Sequence, residues 1–161
     1  MIAFRDLVVA TKVALKSLAR RILDLNDEIA DLDRHIRLLV TELAPNLLSL
    51  PGVGVENGGE FLVAAGDNPE RLRSAAGFAM LCGAAPLPAS SGKIQRHRLN
   101  RGGNRQANSA LHMVVVFRMR TDQATKDYVE RRMAEGLSKR EVMRCLKRYI
   151  AREVYHALAS S

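Results

Sequence analysis

Five cations fall within thirteen residues, Lys93, Arg96, Arg98, Arg101 and Arg105, with no acidic residue among them. Asn104 follows Gly102 and Gly103 as a suitable N-cap for an apolar helix carrying Leu111, Val114, Val115 and Met119. A helix N-terminus beside clustered cations favours a bound phosphate. A second basic set, Arg140, Arg144, Arg148 and Arg152, repeats every four residues on a helix opened by the capping-box pair Ser138 and Glu141. Like charges at that spacing repel, and an anionic partner removes the cost. Both patterns point to phosphate chemistry. The plain alternatives are a solvated loop and a solvated helix face, and composition alone rejects neither.

The charge balance along the chain agrees with where these residues lie. The 161 residues carry 25 Lys plus Arg and 17 Asp plus Glu, a net +8. From Met1 to Leu50 the seven basic and seven acidic residues cancel, and from Pro51 to Gly92 two basic face four acidic. The excess sits in the second half: five basic and no acidic residues from Lys93 to Arg105, then eleven basic and six acidic to Ser161. Charge concentrated this way argues for a phosphate-bearing partner. No apolar run reaches the ~18 to 20 residues of a membrane span, and no signal segment opens the chain. Cys82 and Cys145 are too far apart in sequence for a zinc knuckle. These features read as a cytoplasmic protein with reduced thiols and no membrane partner.

The elements that must hold the cations are mainly α. Val8, Leu15, Ile22, Ile29, Ile36 and Leu43 recur every seven residues, and Leu18, Leu25, Leu32 and Leu39 follow three later. That a/d seam, with Thr11 its polar exception, predicts a coiled-coil helix over residues 1–46. Isoleucine at a with leucine at d favours a parallel two-stranded coil, with Arg21, Glu28, Asp33 and Glu42 available to set register. A helix packed antiparallel on another helix is the alternative, although no other segment is long enough to cover the seam. Residues 47–161 then form a compact helical domain. It opens with the turn Leu50-Pro51-Gly52-Val53-Gly54, where Gly52 and Gly54 permit positive φ or close backbone approach. Such a turn is similar to the hairpin of helix-hairpin-helix modules, whose amides hold a DNA phosphate; a tight αα turn without a ligand is the alternative. Val55 to Ala65 is a poor intrinsic helix, because Gly58 and Gly59 each cost ~1 kcal/mol against Ala. Asn68 and Pro69 suggest the start of a helix through Ala75, Phe78 and Leu81 to Gly83. Pro86, Pro88 and the glycines then enforce a basic loop, with a short strand expected within Lys93 to Leu99.

The ordered motifs carry a resemblance. Leu50-Pro51-Gly52-Val53-Gly54, Gly66-Asp67-x-Pro69-x-Arg71-Leu72-Arg73-Ser74, Gly83-Ala84-Ala85-Pro86, Ser91-Gly92-Lys93 and Gly103-Asn104-Arg105 follow one another over Leu47 to Leu158. Together they resemble the carboxy-terminal domain of the bridge-RNA-guided DEDD transposases of bacterial insertion sequences, in which a helical coiled coil precedes this domain and mediates assembly. The resemblance implies a serine nucleophile in a Pro-x-x-x-x-Ser-Gly motif. Pro86 to Gly92 matches it and places the nucleophile at Ser91 rather than Ser90.

A serine hydroxyl attacking a DNA phosphodiester needs charge stabilisation on the phosphoryl oxygens, which Lys93, Arg96, Arg98, Arg101 and Arg105 can supply. It also needs activation. No His-Asp pair or carboxylate cluster stands near Ser91, and His97 is the only neighbour titrating near neutrality. In the family a metal is held by acidic residues of an amino-terminal resolvase-like domain, so Mg²⁺ is expected only with that domain, and no metal ligands or cofactor are expected here. The Gly58-Gly59 pair and Ser90 depart from the family pattern. The reading is a DNA-binding and strand-transfer domain of an insertion-sequence transposase, with DNA and a guide RNA as partners and oligomerisation through the coil. The rival is a noncatalytic nucleic-acid-binding module that dimerises through its coiled coil; a scaffold with incidental basic charge is a third reading.

Overall fold

The structure is a computed structural model that describes residues 7–66, 72–88, 97–98 and 100–160. Its first element, α1 (Leu7–Leu43), runs for 37 residues, about 55 Å at 1.5 Å per residue. The heptad pattern thus does form one continuous helix. Among its described residues only Val40 is buried, Ile36 is half-buried, and the apolar seam from Leu15 to Leu32 faces outward. The short α2 (Pro45–Leu48) begins with a proline at the position where a missing N–H costs nothing. It sets Leu47 into the core beside Ala44, and Asn46 Nδ2 donates to the Ser160 carbonyl at 3.2 Å, tying this corner to the chain's far end.

Val55–Ala65 is helical (α3) despite its two glycines. The reason is tertiary. A Cβ on Gly58 would lie 3.1 Å from Val40, and one on Gly59 would lie 3.4 Å from Ile36. The missing side chains let α3 press against the last turns of α1, and that packing offsets the propensity cost. The helix expected from Asn68 and Pro69 is corrected. Asn68 and Pro69 lie outside the described residues, but Leu72 to Ser74 are not helical, and α4 (Ala75–Leu81) starts at Ala75. Ser74 is its cap, with Oγ accepting from Gly77 N at 3.1 Å. After α4 a two-residue antiparallel pairing joins β1 (Leu87–Pro88) to β2 (His97–Arg98), Leu87 opposite Arg98 and Pro88 opposite His97. The strand expected within Lys93 to Leu99 is therefore confined, among the described residues, to its last part.

Three longer helices complete the body: α5 (Arg105–Thr121), α6 (Gln123–Ala134) and α7 (Lys139–Ala159). The starts of α5 and α7 follow the caps read in the sequence. Asn104 Oδ1 accepts from Ala107 N at 3.0 Å, and Ser138 with Glu141 closes a capping box on α7. Asp122 caps α6, its Oδ2 accepting from Thr125 Oγ1 at 2.5 Å and from Thr125 N at 2.7 Å, and these bonds, the hydroxyl's first, lower the Asp122 carboxyl pKa from its ordinary value. The α5 helix is the hub, packing on α3, α6 and α7, while α4 lies against α7. Phe61, Phe78, Leu111, Val114, Val142 and Ile150 fill the space between them. Tyr149 on α7 is half exposed and meets the Tyr128 ring edge-on at 5.8 Å. Among the described residues no helix is long and apolar enough to cross a membrane.

Candidate nucleic-acid interface

The two ends of the basic loop are pinned to one place, and glycine is the reason. Gly83 ends α4 with a left-handed φ of 66°, which frees it from the Cβ penalty of that region. Gly103, just before α5, lies so close that a Cβ there would sit 2.2 Å from Gly83 N and 2.4 Å from Gly83 Cα. The stems are therefore in backbone contact, and Asn104 N donates to the Leu81 carbonyl at 2.6 Å across the junction. Two further amides reinforce it. Asn100 Nδ2 donates to the Met80 carbonyl at 3.1 Å, and Asn108 Nδ2 donates to the Cys82 carbonyl at 2.8 Å. Gly102 N closes back on Asn100 Oδ1 at 3.0 Å.

A third helix is drawn in by one lysine. Lys147 Nζ reaches from α7 to the Asn108 carbonyl at 3.1 Å and to Asn108 Oδ1 at 2.8 Å. The side chain is half buried, and burial pushes its pKa below the ordinary lysine value. It keeps its hydrogen bonds through the short chain Lys147 to Asn108 to Cys82. His112, one turn along α5, is lowered by burial and then by the Lys147 charge. The Cys82 thiol is buried and pushed up to about 12, so it carries no thiolate reactivity near neutral pH.

These ties open a cleft of about 640 Å³ between the loop stems and α7. Its wall includes Pro86, Arg98, Asn100, Arg144, Lys147 and Arg148. Of the residues singled out by sequence, Arg98, Arg144 and Arg148 thus come together across some fifty positions of chain, while Asn104 caps α5 without lining the cleft. Arg101 and Arg105 are exposed on the stem and at the first turn of α5 without lining the cleft, and Arg140 and Arg152 continue the exposed α7 row at either end. Glu141 is the acidic residue of the lining, and it is committed to Ser138 N at 2.9 Å. Ser91, Lys93 and Arg96 lie outside the described residues, as does Ser90.

Gly52 and Gly54 are elsewhere. Gly52 has φ of 81°, and a Cβ on it would meet the Phe117 ring at 2.7 Å. The Pro51 carbonyl accepts from Arg118 Nε at 2.8 Å, and Arg118 Nη1 pairs with Glu153 of α7 at 2.7 Å. This turn is stitched onto the far end of α5, and Gly54 has open space about it. The residues that sequence reasoning missed are Asn100, Asn108 and Lys147. Asn108 follows the Asn104 cap at the i+4 spacing, which is the signal that the first turn of α5 turns a second amide toward the same side of the chain. Lys147 sits one position before Arg148 and reads as part of the charged row until the packing turns it inward. Among the described residues no group of three or more His, Cys, Asp or Glu side chains is placed to hold a metal ion.

The model of the IS116/IS110/IS902 transposase family matches residues 44–130, from the end of α1 to α6 and across the glycine junction. The chain is similar to the 42 kDa protein of insertion element IS900 from Mycobacterium paratuberculosis, 35% identical over 130 residues, which cover 79% of this chain and 32% of that protein. It is 34% identical over 127 residues to the 43.6 kDa protein of insertion element IS110 from Streptomyces coelicolor, covering 77% of this chain and 31% of the relative. The 44.8 kDa protein of IS116 from Streptomyces clavuligerus is 32% identical over 143 residues, 86% of this chain and 35% of its own. The chain spans about a third of the length of these curated relatives.

Proposed function

Because the chain belongs to the IS116/IS110/IS902 transposase family, we propose that its cleft binds the DNA backbone and presents Ser91 to a phosphodiester for strand transfer. The observation that carries the binding half is the convergence of Arg98, Arg144 and Arg148 on the stems of the loop that contains Ser91. Cations there neutralise phosphate without reading bases, so they position a strand rather than choose one. A guide RNA presents the same phosphate chemistry to the exposed Arg101, Arg105, Arg140 and Arg152.

In the reaction half, Ser91 Oγ bonds to phosphorus and gives up its proton, and the displaced deoxyribose hydroxyl leaves. The strand end stays on the protein as a phosphoserine ester whose bond energy serves rejoining. The cleft cations stabilise charge on the phosphoryl oxygens as it develops. Activation of the hydroxyl is assigned to the acidic, Mg²⁺-binding domain of the family, and the bare apolar seam of α1 to assembly of the protein.

The test joins this chain to that acidic domain and looks for a covalent DNA adduct in Mg²⁺. Ser91→Ala should abolish the adduct and Ser90→Ala should leave it. An adduct mapped to Ser90 would overturn the assignment. Salt-dependent DNA binding by the chain, with no adduct in any combination, would favour the noncatalytic nucleic-acid-binding module.

A further inference from the structure

The heptad face of α1 is bare along the middle of the helix: Leu15, Leu18, Ile22, Leu25, Ile29 and Leu32 are 42–59% exposed. A continuous apolar stripe of that length on a charged helix marks a surface that another chain covers. The charges flanking it are segregated. From Leu7 to Leu23 the helix carries Lys12, Lys16, Arg20 and Arg21 with no acid, and from Asp24 to Leu43 it carries six acidic residues and two basic. A parallel partner would lay the basic half on a basic half and the acidic half on an acidic half. It would also set Glu28 against Asp33 of the second copy, since g faces the e position five residues later. An antiparallel partner reverses each of these pairings.

We propose that α1 pairs antiparallel with α1 of a second copy, in the register that sets Leu15 against Leu32 and Ile22 against Leu25. The proposal rests on the assembly role given to α1 above and adds its orientation and register. In an antiparallel pair the e positions face one another and so do the g positions. This register then opposes Lys12 to Asp33 and Arg21 to Glu28, each twice by the two-fold symmetry. Sliding the helices by one heptad in one direction places Glu28 on Glu28, and sliding in the other places Arg21 on Arg21, so charge selects a single register. The same register carries Leu7 and Val8 of the second copy to an apolar groove of about 690 Å³, where Leu39 and Leu43 of α1 meet Val63 of α3 and Met113 of α5. The groove continues the seam and gives its end a covering partner.

The experiment uses the full chain with Cys145→Ser as background, since Cys82 is buried. Sedimentation reports assembly, and disulfide trapping reports orientation. A mixture of Leu15→Cys and Leu32→Cys chains should cross-link, and Leu15→Cys alone should not. A sedimenting dimer in which Leu15→Cys links to itself, or in which the mixture fails to link, overturns the orientation while leaving assembly intact. A chain that stays monomeric overturns both. As a second arm without cysteines, Arg21→Glu should weaken the dimer roughly tenfold, and Glu28→Arg added to it should restore the affinity. Failure of that restoration also overturns the register.

Discussion

At one end of α5 a glycine turn is closed by side chains, and at the other a glycine pair brings two backbones into contact. Gly52 lies under Phe117, with the Pro51 carbonyl taken by Arg118 and the guanidinium paired to Glu153. Gly83 and Gly103 touch directly, and the polar groups around them are amides and one lysine that tie three helices together. The two junctions are about 18 Å apart along the helix axis. In the sequence the first reads as a glycine turn able to approach a phosphate, and the second as a helix N-terminus beside clustered cations. The packing separates them: the first spends its polar groups on the protein, and the second leaves Arg98, Arg144 and Arg148 facing a cleft.

The largest expected effect is at the backbone contact. Gly103→Ala puts a methyl group inside the Gly83 backbone, which has no rotamer to yield, so unfolding stability should fall by at least ~3 kcal/mol. Thermal melting would register this as a large drop, and a near-native midpoint would show that the stems do not touch. Gly52→Ala should cost less, about 1–2 kcal/mol, because the strain is one left-handed residue and the Phe117 ring can rotate away. Gly54→Ala, with open space around it, should stay within ~1 kcal/mol.

Charge variants sharpen the comparison through binding. Arg144→Ala with Arg148→Ala should weaken binding to unrelated DNA sequences and lower the log-log salt slope by about 0.9 for each phosphate no longer neutralised, with stability changed by no more than ~0.5 kcal/mol. Arg118→Ala should do the converse. It strands the Pro51 carbonyl and Glu153, costing about 1–3 kcal/mol, and should leave the salt slope unchanged. Equal slopes for both variants would mean that the two ends of α5 do not differ in how they meet phosphate.

The smallest effect is in pH. Lys147 and His112 both have folded-state values below their ordinary ones, so the native state binds their protons less readily than the unfolded chain. Stability should therefore rise with pH through the windows just below 10.5 and just below 6.5, and fall as pH drops through them. Chemical unfolding at pH 5.5 and 7.5 would read the lower window, and His112→Gln should flatten it. An unchanged slope in that variant would remove His112 as the cause.

Much of this protein was legible because it depends on neighbours within a turn or two. The seven-residue period of α1, the Asn104 cap of α5 and the Ser138–Glu141 box of α7 are local, and each appears where the sequence predicts it. The clustering of cations in the second half is likewise a property of the chain. The places where local reasoning failed are those where a distant element decides. Gly58 and Gly59 argue against a helix until Val40 and Ile36 pack where their side chains would be. Asn68 and Pro69 look like a helix start, yet Ser74 holds the cap of α4, its Oγ accepting from Gly77 N. Lys147 reads as one more surface charge until Asn108 turns it inward. Residue types and short spacings thus determined α1, the caps of α5 and α7 and the concentration of positive charge in the second half. Only the tertiary structure decided which basic residues meet, since Arg98 and Arg148 share a cleft only when the Gly83–Gly103 contact closes the loop onto α7.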